Sequence, residues 1–261
     1  MSARLPLRKG VRLWRIAALG GALLVCACLA RSADAAQSAK LQVSLSPKRL
    51  GASTTLGFGF QIEAPEGAFP AALTQLDVRL PAGMGVDTAG LATCSEAKLE
   101  HGSRSCSPGA RVGTGRVKVQ LLLGTVTRPE IAALTVFNGP REGGHTTLVF
   151  DAIGKLPIAT QFVFTGVIVP GPQGDSIEAT IPLIPVLPNT PDGAILELTA
   201  TLGTRAQTYY RTIGGRRVRF TPKGATLPGS CPASGFPFSA TFGFGDGTTA
   251  EAASSVACGS Q

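Results

Sequence analysis

The sequence predicts an all-β protein, an antiparallel β-sandwich of Ig-like or jelly-roll-like type, held by disulfides. Three observations predict it. Short runs alternate apolar and polar residues with a period of two, Gly and Pro (33 and 19 of 261 residues) punctuate them, and a helical period is nearly absent. A hydrophobic content of 44% in so regular a pattern favours a packed core over disorder, despite the Gly and Pro.

The first strand is Leu41-Gln42-Val43-Ser44-Leu45, where apolar residues alternate strictly, as a half-buried strand requires. Residues 56–62 alternate apolar residues with Gly57, Gly59 and Gln61, and 75–80 repeat the pattern as QLDVRL. Strands are then expected at 116–121, 133–137, 146–153, 161–169, 176–181, 195–202, 207–213 and 217–221. The last two, 236–244 and 248–257, flank Gly245-Asp246-Gly247, and Asp-Gly is a strong hairpin signal. One helical turn is expected, over Ser95 to Glu100.

These strands lie in residues 36–261, read as one all-β domain. The stretch IPLIPVLPNTP from Ile181 to Pro191 offers an alternative, a subdivision near 181–203, because Pro at this density does not fit a central strand.

Residues 1–35 read as a signal peptide. Arg4, Arg8, Lys9, Arg12 and Arg15 form a basic n-region, Ile16 to Ala30 carry no charge, and Ala33-Asp34-Ala35 supplies small residues for cleavage before Ala36. The expected location is secreted or extracytoplasmic. The alternative is lipid anchoring through Cys28, at the end of Val25-Cys26-Ala27-Cys28. No stretch of the mature chain is long enough for a transmembrane helix. The leader holds six of the 24 bases and one of the 16 acids, so the mature chain has 18 against 15. A net +3 gives no case for nucleic acid as a partner.

Without the leader four cysteines remain, an even number that reads as disulfides in an oxidising compartment. The local pairing, Cys94 with Cys106 and Cys231 with Cys258, is preferred because each pair brackets a short segment with turn residues. Chain entropy gives each bridge about 3 kcal/mol. No metal site is expected: neither pair has CxxC spacing, and His101 and His145 are the only histidines.

Nothing in the spacing nominates a catalytic site. Both histidines read as turn residues, and neither a GxSxG elbow nor an HExxH helix is present. The fifteen acids of the mature chain are scattered singly, so spacing picks out no carboxylate pair. Asp246 and Asp151 raise the question of calcium, but a loop of that kind needs several acids in close register. A carbohydrate platform lacks its aromatic residues: Trp14 is in the leader, and the adjacent Tyr209 and Tyr210 point to opposite faces of a strand. The Phe residues fall on alternating positions, as in Phe58/Phe60 and Phe242/Phe244, and read as core. No cofactor is expected.

One stretch departs from the even balance of charge. From Arg205 to Lys223 six bases and no acid occur, in a pattern that turns at Gly214-Gly215. Arg217 and Arg219 share one face of the second strand, with Arg216 and Val218 on the other. Arg211, Arg217 and Arg219 are therefore candidates for binding an anionic cell-envelope polymer or lipid headgroups. The competing reading is an edge strand whose charges prevent pairing with another chain.

The segments LQVSLSPKRLGA, LPAGMGVDTAGLATCSEA, SCSPGARVGTG and GSCPASGFPFSATFGFGDGTTA, together with the leader, resemble a family of secreted bacterial β-sandwich proteins with no assigned activity. The resemblance implies export and β-structure, and supplies no site. The chain is thus read as a secreted, noncatalytic cell-envelope or surface module, binding or structural, and not as an enzyme. The alternative is an extracellular hydrolase with a carboxylate pair that spacing does not reveal.

Overall fold

The computed structural model describes residues 36–204 and 208–259. Residues 1–35, which the sequence suggests are a leader, lie outside them with Cys28, as does Arg205. Among the described residues the fold is all-β and antiparallel, and both expected cysteine pairs stand at disulfide distance.

In chain order the strands are β1 (Ser38–Ser46), β2 (Ser53–Glu63), β3 (Leu73–Arg79), β4 (Gly85–Asp87), β5 (Arg111–Leu123), β6 (Val126–Asn138), β7 (Thr146–Ile153) and β8 (Gln161–Val169). They continue with β9 (Ser176–Thr180), β10 (Ala194–Leu202), β11 (Tyr209–Ile213), β12 (Arg216–Phe220), β13 (Gly224–Thr226), β14 (Phe236–Phe244) and β15 (Thr249–Val256). Among the described residues the one α-helical turn, α1 (Glu96–Leu99), lies where the sequence places it.

Thirteen strands form one sheet in the order β15-β14-β3-β9-β8-β7-β6-β5-β10-β2-β13-β4, with β1 also paired to β2. A sheet this wide does not stay open. It folds back so that Phe60 on β2 meets Phe242 on β14, ring centroids 5.1 Å apart, although seven strands separate them along the sheet. The result is a sandwich whose core lies between the two halves of a single sheet.

Alternation decides which side chains enter that core. On β14, Phe236, Phe238, Ala240, Phe242 and Phe244 are buried while Pro237, Ser239 and Thr241 are exposed. On β8, Phe162, Phe164 and Ile168 point inward, and Phe164 stacks on Phe150 of β7 at 4.7 Å. Each such Phe contributes about 1.5–3 kcal/mol by leaving water.

The Pro-rich stretch joins β9 to β10 within this one sheet. Ile181 and Ile184 are buried and the chain is pinned by Ile181 N–H to Thr74 O (2.8 Å) and Gly193 N–H to Ile184 O (2.7 Å). Strand β10 then inserts between β5 and β2.

The Cys94–Cys106 loop covers the outer face of β6 and β7. Cys94, Leu99, Cys106 and Ala110 pack on Phe137 and Val149 as a second small core. Strand β7 is therefore buried on both faces from Thr147 to Ala152. Asp151 lies under this loop, 1% exposed, and its carboxylate accepts hydrogen bonds from Ser103 Oγ (2.6 Å) and Gln161 Nε2 (2.8 Å). Gln161 also donates to Leu99 O (3.2 Å), so one amide ties the loop to the buried acid.

Candidate functional site

The basic stretch forms a two-stranded sheet of its own, β11 with β12, apart from the thirteen-stranded one. Its neck is fixed by Thr204, whose hydroxyl donates to Pro222 O (3.0 Å). Its root is fixed by Tyr209, 2% exposed, whose hydroxyl donates to Arg111 O (2.8 Å) and whose ring meets Phe220 edge-on. Phe220 lies over Gly90, where a side chain would meet the ring at 3.2 Å. Beyond that root, at Gly214 and Gly215, φ is +55° and +77°, the two positive angles that a tight hairpin turn with the strands' own twist demands.

The register assigns the faces. Tyr210 pairs with Arg219 and Thr212 with Arg217, so these four share one face, while Arg211, Ile213, Arg216 and Val218 share the other. Tyr209 and Tyr210 do point oppositely, the first buried and the second 47% exposed. Arg217 lies over the Tyr210 ring at 4.1 Å and Arg211 over Phe220 at 5.5 Å. These stacks hold the guanidinium planes without neutralising them. Among the described residues none of Arg211, Arg216, Arg217 and Arg219 has a carboxylate within ion-pair distance, and only Lys223 reaches one, Asp87 at 4.0 Å. The structure thus brings the three sequence-nominated arginines onto one projecting element, with Arg211 on the face opposite Arg217 and Arg219.

A second feature escapes sequence reasoning. Across four neighbouring strands the register aligns Glu251, Thr241, Asp77 and Glu178, with Asp77 directly opposite Glu178. These residues lie on the outer face, along shallow grooves of about 410 and about 700 Å³ that both include Asp77 and Thr241. Burial and then the neighbouring Glu178 push the Asp77 carboxyl above its ordinary range, against a smaller opposite pull from Arg79. Its Oδ1 is buried with no hydrogen-bond partner among the described residues. A carboxyl held toward its neutral form beside a second carboxylate is the raw material of acid–base chemistry. No sequence signal pairs them, since Asp77 and Glu178 are brought together only by the pairing of β3 with β9.

The other polar candidates are structural. His101 is exposed in the turn after α1, and His145 closes a tight turn through paired backbone bonds with Glu142 (3.1 and 2.8 Å). Asp246 caps its own hairpin turn, accepting from Thr248 N–H (2.9 Å) and Thr248 Oγ1 (2.7 Å), and these bonds lower its pKa. Glu130, 2% exposed, faces inward on β6 beside Thr160, and burial raises its pKa. Among the described residues no group of three or more His, Cys, Asp or Glu side chains gathers as a metal site. Nor is any helix there long and apolar enough to cross a membrane.

No family model matches the chain, and no curated protein or solved structure is found to be similar to it.

Proposed function

We propose that this protein is a secreted, noncatalytic module of the cell envelope or surface that binds an anionic envelope component through β11–β12. The observation that supports it most is the projecting hairpin with four arginines and no carboxylate partner among the described residues. In a hairpin whose charges served only to protect a sheet edge, the cations would flank a strand of the main sheet, whereas β11 and β12 pair only with each other. The leader and the two cysteine pairs support an extracytoplasmic setting. The test is retention on isolated cell envelopes as salt is raised, for the parent and for Arg217→Gln/Arg219→Gln. Charge-driven binding falls steeply with salt and falls further in the double variant, because exposed charges are screened over about 8 Å at physiological ionic strength. Retention unaffected by either would end this reading.

One observation favours a second reading, an extracellular hydrolase: the facing pair Asp77 and Glu178 in an outer groove. Glycan and ester hydrolysis by Asp77→Asn and Glu178→Gln would decide it. Activity in the parent that both substitutions abolish, with the fold intact, would replace the noncatalytic reading.

A further inference from the structure

We infer that the anionic partner of the β11–β12 hairpin is a lipid bilayer surface, into whose headgroup region the tip seats Ile213 and Val218. This rests on the anionic-partner reading above and goes further by choosing the partner and the residues that enter it.

Three observations carry it. The first is where the hairpin places its apolar side chains. Every strand of the main sheet that carries large apolar residues turns most of them into the core, but Ile213 and Val218 are 52% and 40% exposed beyond the point where Tyr209 and Phe220 meet the body. The second is that these two share one face, diagonal to each other across the register, with Arg211 and Arg216 opposite them in the pairs Arg211–Val218 and Ile213–Arg216. Each apolar residue thus has a guanidinium directly across the ladder. A hydrated phosphate polymer would be met by the arginines alone and leave that apolar surface in water. At a membrane interface, apolar side chains settle among acyl chains while flanking cations meet the phosphates. The third is the opposite face, where Tyr210, 47% exposed, carries Arg217 over its ring with Arg219 beside it. An aromatic ring with a polar hydroxyl, set among cations, suits the headgroup layer.

The geometry of attachment fits the same use. Tyr209, Phe220 and the Thr204–Pro222 bond anchor the root, so the tip projects from a fixed base. The fold below needs nothing from Ile213 or Val218. The tip is therefore replaceable without loss of the core.

Cosedimentation tests the inference, using vesicles of phosphatidylcholine with and without phosphatidylglycerol and, in parallel, lipid-extracted cell walls. The expected result is binding to the anionic vesicles at least tenfold tighter than to neutral ones. Arg217→Gln/Arg219→Gln should weaken it by about 25-fold, near fivefold for each charge removed at an anionic surface. Ile213→Ser/Val218→Ser keeps every charge and should still weaken vesicle binding about fivefold or more, with an unchanged melting temperature. Binding to lipid-extracted walls without binding to anionic vesicles would overturn the bilayer inference and leave the anionic-partner reading standing. Vesicle binding that the Ile213/Val218 variant retains in full would show a purely electrostatic contact and overturn the seating of the tip. Binding to neither material would remove both readings together.

Discussion

Two hairpins in this molecule both turn on glycines of positive φ, Gly247 in one and Gly214-Gly215 in the other, and end in opposite circumstances. In β14–β15 the strands join at Asp246-Gly247, and the inward face presents Phe236, Phe238, Phe242 and Phe244 to the core, all 4% exposed or less. In β11–β12 the strands join at Gly214-Gly215, and beyond the root every residue from Tyr210 to Arg219 is exposed. A turn and a two-residue register suffice to make a hairpin. What a hairpin is for depends on whether the fold offers its faces a partner. The first hairpin has one in β2, through Phe60 and Phe242. The second projects arginines and apolar side chains that stay exposed among the described residues, the composition expected of a contact surface.

The comparison breaks most readily at Phe242. Phe242→Ala empties a fully buried ring site beneath Phe60 and should cost about 3–5 kcal/mol, read as a lower midpoint in denaturant. The matching change on the other hairpin, Val218→Ala, should move that midpoint by less than about 0.5 kcal/mol. If the two variants unfold alike, the hairpins are not the different objects described.

A smaller effect is expected at Asp151. Asp151→Ala removes the acceptor of Ser103 Oγ and one of the two acceptors of Gln161 Nε2 beneath the Cys94–Cys106 loop and should cost about 1–3 kcal/mol. Hydrogen exchange should rise first in that loop, ahead of β14–β15, because Gln161 ties loop and strand together.

Two acids should move stability with pH in opposite senses. Burial raises the folded-state pKa of Glu130, so its contribution is complete below the unfolded value, about 4.3, and is lost as pH rises through the folded pKa. Glu130→Gln should therefore stabilise the protein at neutral pH and change little under acidic conditions. The bonds from Thr248 lower the pKa of Asp246, so its contribution is present above the unfolded value, about 3.9, and is lost as pH falls through the folded pKa. Asp246→Ala should accordingly weaken the β14–β15 hairpin at neutral pH and leave acid stability unchanged. This is the smallest effect, because Asp246 is exposed.

How much of this was legible beforehand follows from how local each signal is. Period-two alternation placed strands such as β8 and β14 at the bounds the structure shows, since one buried face suffices to write the pattern. Strands β4 and β13 were missed because three residues, Gly-Val-Asp and Gly-Ala-Thr, are too short to alternate. The expected start of β6 at Ala133 fell seven residues late, where Pro129 and Glu130 interrupt the apolar pattern. Pro129 is tolerated because β7 pairs only with Ala133–Asn138, so the first half of β6 is an edge. Of the two features considered for function, the arginine hairpin is contiguous and was visible as a run of charge. The Asp77–Glu178 pair was invisible, because a pairing between β3 and β9 leaves no trace in spacing.

The measurement that bears most directly on the account is retention on native envelopes across a salt series, comparing the parent with Arg211→Gln/Arg217→Gln/Arg219→Gln. The account predicts strong retention of the parent at low salt, steep loss toward physiological ionic strength and beyond, and little retention of the triple variant at any salt, with identical unfolding midpoints. Equal retention of the two proteins at every salt concentration would contradict it.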